Sequence, residues 1–187
     1  MKACAYCLSE GNLTKEHIWP RTLIQKYNAL ITYNPKKHDF YVGEPTVKDV
    51  CAICNNKYLS KLDSYLSCLY DASFAKILAP GDDVLFSYNY DLLLRALLKI
   101  SYNSSRAFRE KYDTKVLSDF SKYILHGGHS DKVIIHLQIV TASKMMNADT
   151  GEFLGNLSPI YLRCGFVPYN GTLSNHFLVR FIAINSF

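Results

Sequence analysis

Two Cys-x-x-Cys pairs, Cys4/Cys7 and Cys51/Cys54, set the tightest limit on how this chain can fold. Two residues between cysteines let both thiolates turn toward one ion at a Zn–S distance of about 2.3 Å. Two such knuckles supply the four soft ligands of a closed, tetrahedral structural zinc site, so they are expected to lie side by side. The 43 residues between them exceed the roughly 15 to 20 of a compact zinc ribbon, so something folded must fill the interval. Disulfides are the competing reading. The N-terminal segment Met1 to Cys7 has no apolar leader, however, so the expected compartment is the reducing cytoplasm, where bridges are disfavoured. Cys68 and Cys164 stand alone and are expected to be ordinary buried thiols.

With 187 residues and 49% of them hydrophobic, the chain can bury a substantial core. The best apolar run, Leu92 to Leu98, is interrupted by Arg95 and falls short of the roughly 18 residues that a membrane span needs, so no membrane role is expected. The formal net charge is +5, concentrated at the front: residues 1 to 61 carry nine Lys or Arg against five Asp or Glu. An excess of that size is compatible with a polyanionic partner without demanding one.

Between the knuckles, Phe40-Tyr41-Val42 reads as a short strand ending at Gly43. After Cys54 the pattern becomes helical, with Leu59, Leu62, Leu66 and Leu69 on one face as a core stripe. Pro80-Gly81-Asp82-Asp83 is the clearest punctuation in the chain. The strongest helical period runs from Tyr90 to about Tyr112, with Leu93, Leu94 and Leu97 on one side and Arg95, Lys99, Arg106 and Arg109 on the other. A further helix is expected from about Lys115 to Leu125, stopping at Gly127-Gly128. Val133 to Thr141, Phe177 to Ile184 and, more weakly, Ile160 to Cys164 read as strands. These signals predict an α+β protein with a module over residues 1–70 and an accessory α+β region over 71–187.

Three features then stand in fixed order: a Cys-x-x-Cys, Glu16-His17-Ile18-x-Pro20, and Cys51-x-x-Cys54-Asn55-Asn56-Lys57. Over about residues 1 to 66 the chain resembles the HNH endonucleases, in the branch whose ββα-metal core is held by a four-cysteine zinc. The resemblance implies a zinc-stabilised ββα module, DNA phosphodiester hydrolysis leaving 5′-phosphate and 3′-hydroxyl ends, and catalytic positions at Glu16, His17 and Asn55. Many members carry a middle Asn about nine residues before the closing residue, where it steadies the loop bearing the histidine. Thr46 occupies that position here and lacks an amide's paired donor and acceptor.

The residue types suit the chemistry on physical grounds as well. An imidazole titrating near neutrality can take a proton from water, so His17 is the expected general base. A hard cation such as Mg2+ or Mn2+ takes oxygen ligands, and the Glu16 carboxylate and Asn55 amide carbonyl are the expected pair. Asn55 also suits a helix N-cap, and Asn56 is the fallback ligand. Glu16 and His17 are adjacent, and adjacent side chains on a regular strand face opposite ways, so their convergence requires a twist or a strand end. Candidate DNA contacts are Lys36, Lys37, Lys57, Lys61, Arg95, Lys99, Arg106 and Arg109. The expected partner is nucleic acid, DNA first, with a protein partner or second copy engaged through residues 71–187. The alternative is a zinc-ribbon module that binds nucleic acid or protein without chemistry.

Overall fold

The computed structural model describes residues 2–27, 31–34, 38–167 and 177–187. Helix and strand are mixed along the chain, as expected for an α+β protein. Strand β1 (Leu13–His17) is followed by one helical turn, α1 (Arg21–Ile24), and a small hairpin of β2 (Ile31–Asn34) and β3 (Asp39–Val42). Strand β4 (Thr46–Cys51) then pairs antiparallel with β1. The long interval between the knuckles is therefore filled by a strand, a turn of helix and a hairpin. Lys36 and Lys37 lie outside the described residues.

The β1–β4 pairing is irregular, and the irregularity has a purpose in the core. Thr14 faces Val50 and Glu16 faces Val47, so Lys15 alone opposes Lys48 and Asp49. An extra residue on one strand shifts its alternation. Val47 and Val50 are three apart and would face opposite sides of a regular strand; with the bulge between them, both are buried.

Beyond Cys54 the chain is helical: a π-helical stretch (Cys54–Leu59), α2 (Ser60–Leu69) and a second π-helical stretch (Tyr70–Phe74). Leu59, Leu62, Leu66 and Leu69 are buried together, as their spacing predicts. Helix α3 (Tyr90–Ala107) begins at Asn89, whose side chain accepts the Leu92 amide at 3.0 Å. It ends five residues short of the expected Tyr112. The expected single helix near residue 120 is two, α4 (Lys111–Ser118) and α5 (Ser121–His126), and Gly127 stops the second with φ +73°.

The remaining strands form two hairpins, β5 (Ser143–Met146) with β6 (Phe153–Leu157) and β7 (Leu162–Phe166) with β8 (Arg180–Ile184). The expected strand over Val133 to Thr141 joins no ladder; Val140 makes one backbone bond, to Ser186 at 2.8 Å. Its β-branched residues satisfy local propensity but have no neighbouring strand to pair with. No helix among the described residues is long and apolar enough to cross a membrane.

Helix α3 is buried on both of its faces. Leu93, Leu94 and Ile100 are buried along one side, while Tyr102 and Asn103 face the N-terminal elements. Apolar contact runs unbroken from Cys4 through α3 to Phe187. Arg180 ties β8 to α3 and the start of α4, meeting Glu110 at 2.5 Å and Ser104 Oγ at 2.7 Å, with Asp113 also in contact.

Candidate metal centre and histidine site

Cys4, Cys7, Cys51 and Cys54 converge, with all four sulfurs within 4.8 Å of one another. Cys7 Sγ and Cys51 Sγ are 3.7 Å apart. Tetrahedral ligation at a Zn–S bond of about 2.3 Å requires sulfur separations of about 3.8 Å. The backbone amides of Cys51 and Cys54 point at Cys4 Sγ (3.3 Å) and Cys51 Sγ (3.5 Å), as donors that stabilise thiolate charge. Burial works against the Cys7 thiolate, yet hydrogen bonds from Ser9 and from the neighbouring Cys54 and Cys4 thiols pull its pKa down to about 6. Burial pushes the Cys54 and Cys51 thiols up; the neighbouring sulfurs add to the rise at Cys54, while hydrogen bonds from Cys54 offset part of it at Cys51. Four crowded thiols cannot all ionise unaided, and a divalent cation supplies the missing positive charge. The donor set fits a structural zinc. Cys68, expected to be buried, is exposed.

His17 ends β1 with its side chain 24% exposed, and its Nε2 meets Glu44 Oε2 at 2.7 Å. With Nε2 donating to a carboxylate, the proton-accepting nitrogen is Nδ1. Nothing in the sequence flags Glu44, which precedes Pro45 in the loop entering β4.

Asn55 comes into the helical run half-buried. Its Nδ2 donates to Thr14 Oγ1 at 2.9 Å and to the Lys15 carbonyl at 3.1 Å, and Thr14 Oγ1 in turn donates to the Val50 carbonyl at 2.8 Å. The amide nitrogen thus pins the helix start to β1, leaving the amide oxygen as the atom available to a cation. Its side chain is not an N-cap, because the helix begins earlier, at the second knuckle.

Glu16 goes elsewhere. Its side chain is 5% exposed and forms an ion pair with Lys99 Nζ at 2.6 Å. Lys99 also donates to Asp63 Oδ1 at 2.6 Å. Burial pushes the Glu16 carboxyl above the ordinary carboxylate range, and Lys99 offsets part of that push. Burial likewise opposes the Lys99 ammonium, but Asp63 and Glu16 outweigh it and hold the lysine above its usual range. The alternation of β1 therefore prevails over the expected convergence: His17 faces Glu44 at the surface while Glu16 faces the core. As folded, Glu16 does not fit as a ligand for Mg2+ or Mn2+. Among the described residues, the cysteine cluster is the grouping of three or more His, Cys, Asp or Glu side chains able to hold an ion.

The expected basic stripe on α3 also turns inward, because acidic partners meet it. Lys99 is buried on Glu16 and Asp63. Arg106, with its side chain 8% exposed, donates to Asp49 Oδ2 at 2.9 Å and lies 3.9 Å from the Tyr102 ring centre. Arg95 bonds Asp91 and donates to the Ile124 and Leu125 carbonyls, closing the end of α5. Of the stripe, Arg109 is exposed, as are Lys57 and Lys61 beside the helix start.

No family model, curated protein or solved structure matches the chain.

Proposed function

We propose that the protein is a nucleic-acid phosphodiester hydrolase, acting on DNA, built on an HNH-like ββα module whose strands and helix are joined by a four-cysteine zinc. The observation that carries the reading is the Glu44–His17 pair at the end of β1, with Asn55 fixed to the same strand. Water attacks the phosphorus as His17 Nδ1 takes its proton, the P–O bond to the leaving sugar oxygen breaks, and that oxygen is reprotonated from solvent. Glu44 orients the ring and stabilises the imidazolium formed in the attack, the role a carboxylate plays behind a catalytic histidine. Lys57 and Lys61 supply positive charge for the phosphate backbone. The cysteine-bound zinc has no open position and holds structure. Asn55 Oδ1 remains a candidate oxygen ligand for a second, hard cation.

Two observations favour a second reading. Glu16 is neutralised by Lys99, and Thr46 has no amide, so a module that binds nucleic acid through its zinc fold without cutting it is the rival. Plasmid nicking with and without magnesium or manganese, comparing wild type with His17→Ala, separates the two. The hydrolase reading expects nicking that falls by about 10² to 10⁴ in the variant. Equal binding by both proteins with no nicking by either supports the rival.

A further inference from the structure

His17 is held by its backbone as well as its ring, and the hold comes from a helix 86 residues further along the chain. Asn103 lies near the C-terminal end of α3, fully buried. Its Oδ1 accepts from the Tyr6 hydroxyl at 2.7 Å and from Arg106 Nη2 at 2.8 Å, and its Nδ2 donates to the His17 carbonyl at 3.0 Å. A guanidinium can only donate, so the amide oxygen must face Arg106 and the amino group must face the carbonyl. Each neighbour belongs to a different part of the site. Tyr6 sits inside the first knuckle, Arg106 is fixed to Asp49 on β4, and the His17 carbonyl closes β1.

The other half of the same peptide unit is pinned too. The Ile18 amide donates to the Pro45 carbonyl at 3.1 Å, one residue beyond Glu44. The His17–Ile18 peptide is thus gripped on one side by α3 and on the other by the loop that carries the carboxylate facing the imidazole. A peptide plane fixed at both edges fixes the His17 Cα, and with it the place where the ring can stand.

We propose that Asn103 is a positioning residue for His17: it holds the strand exit so that the imidazole keeps its alignment on Glu44 and on the scissile phosphate. Its effect on turnover rests on the hydrolase reading; the anchoring does not. Placement errors of about 1 Å around a reacting group cost about 10²-fold in rate. A residue that merely stabilises the fold would leave the imidazole's surroundings and the local backbone opening unchanged in the folded protein.

Asn103→Asp in the full chain tests this, because it keeps acceptors for Tyr6 and Arg106 and sets a carboxylate oxygen against the His17 carbonyl. At unchanged zinc content, Ile18 amide exchange is expected to speed up about tenfold. The His17 imidazole NMR signals are expected to shift, and kcat for plasmid nicking to fall about 10²-fold with KM little changed. Where that variant does not fold, Asn103→Ala carries the same expectations, since alanine keeps the helix and removes the donor. A folded variant with wild-type Ile18 exchange and His17 signals overturns the proposal. So does an unchanged kcat in an active enzyme, or a fall in kcat with neither structural signal moving. Should the wild type fail to nick while both signals respond, the hydrolase reading falls and the anchor stands. Should wild type and variant nick alike, the anchor falls and the hydrolase stands.

Discussion

At the scale of single residues, the contrast between Glu16 and His17 shows how strongly a strand sorts its neighbours. One residue apart, they differ in almost everything that matters to chemistry: Glu16 is buried on a lysine, and His17 is half-exposed on a glutamate. If Glu44 orients the base, Glu44→Gln should lower kcat for nicking by about tenfold or more while leaving thermal stability near wild type. The pair is solvent-screened, so its worth lies in orientation and not in folding energy. Steady-state nicking beside a melting curve separates those effects. Glu16 behaves in the opposite way. Lys99→Met would leave two carboxylates, Glu16 and Asp63, facing an apolar side chain, and breaking a buried pair costs about 3–5 kcal/mol. Burial holds the Glu16 carboxyl above its ordinary range and loss of Lys99 pushes it further up, so the penalty grows as pH rises and shrinks as pH falls and Glu16 protonates. In the wild type, Lys99 titrates above the usual lysine range, so its contribution is complete below about pH 10 and is lost as pH climbs beyond its folded value. Urea titrations of both proteins at neutral and acidic pH read the difference directly.

At the scale of elements, the knuckles and the helix after Cys54 were legible because each rests on a local rule: ligand spacing and a leucine stripe at helical period. The four sulfurs converge as their spacing required. Chelation of the metal, or Cys54→Ser, should therefore abolish the cooperative transition and not merely lower its midpoint, since ligand binding is part of the folding free energy. Calorimetry of metal-depleted and zinc-restored protein, with elemental analysis giving about one zinc per chain, checks it. What could not be read lies in which face meets which partner. Helix α3 has a correct apolar stripe and a correct basic stripe, yet nothing in its own residues says that Asp49, Asp63 and Glu16 will cover the basic one. Glu44 and Asn103 were invisible for the same reason, because their importance comes from the His17 atoms placed beside them by distant segments. Thr46 does oppose His17 across the β1–β4 ladder, but the amide that grips this strand end arrives from α3. The strand expected over Val133 to Thr141 failed differently: β propensity is expressed only where a neighbouring strand offers its backbone.

At the scale of the whole molecule, these same contacts bear on whether the N-terminal module is a separable unit. Its outline is complete by residue 70 in sequence terms, with both knuckles, both strands and the helix in place. Its interior is not. Tyr102 donates its hydroxyl to the Ala5 carbonyl at 3.1 Å inside the first knuckle, Asn103 holds Tyr6 and His17, Arg106 holds Asp49, and Lys99 neutralises Glu16, all from one helix beyond residue 89. Without α3, a fragment ending near Pro80 would uncover the faces of α2 and β4 that pack against it and leave the Glu16 carboxylate uncompensated wherever it stayed buried. Removing a paired cation from a buried site and a covering helix from an apolar face each costs several kcal/mol, against a total stability of about 5–15 kcal/mol for a typical domain. A 1–80 fragment is therefore expected to bind zinc through its cysteines but to show little cooperative unfolding, rapid amide exchange along β1, and no nicking. A fragment extended to residue 127, which restores α3 with the α4 and α5 helices packed on it, should recover the exchange protection of β1. Hydrogen exchange on the two fragments decides the matter, and strong protection of β1 in the shorter one would show that α3 is an appendage and not part of the site's frame.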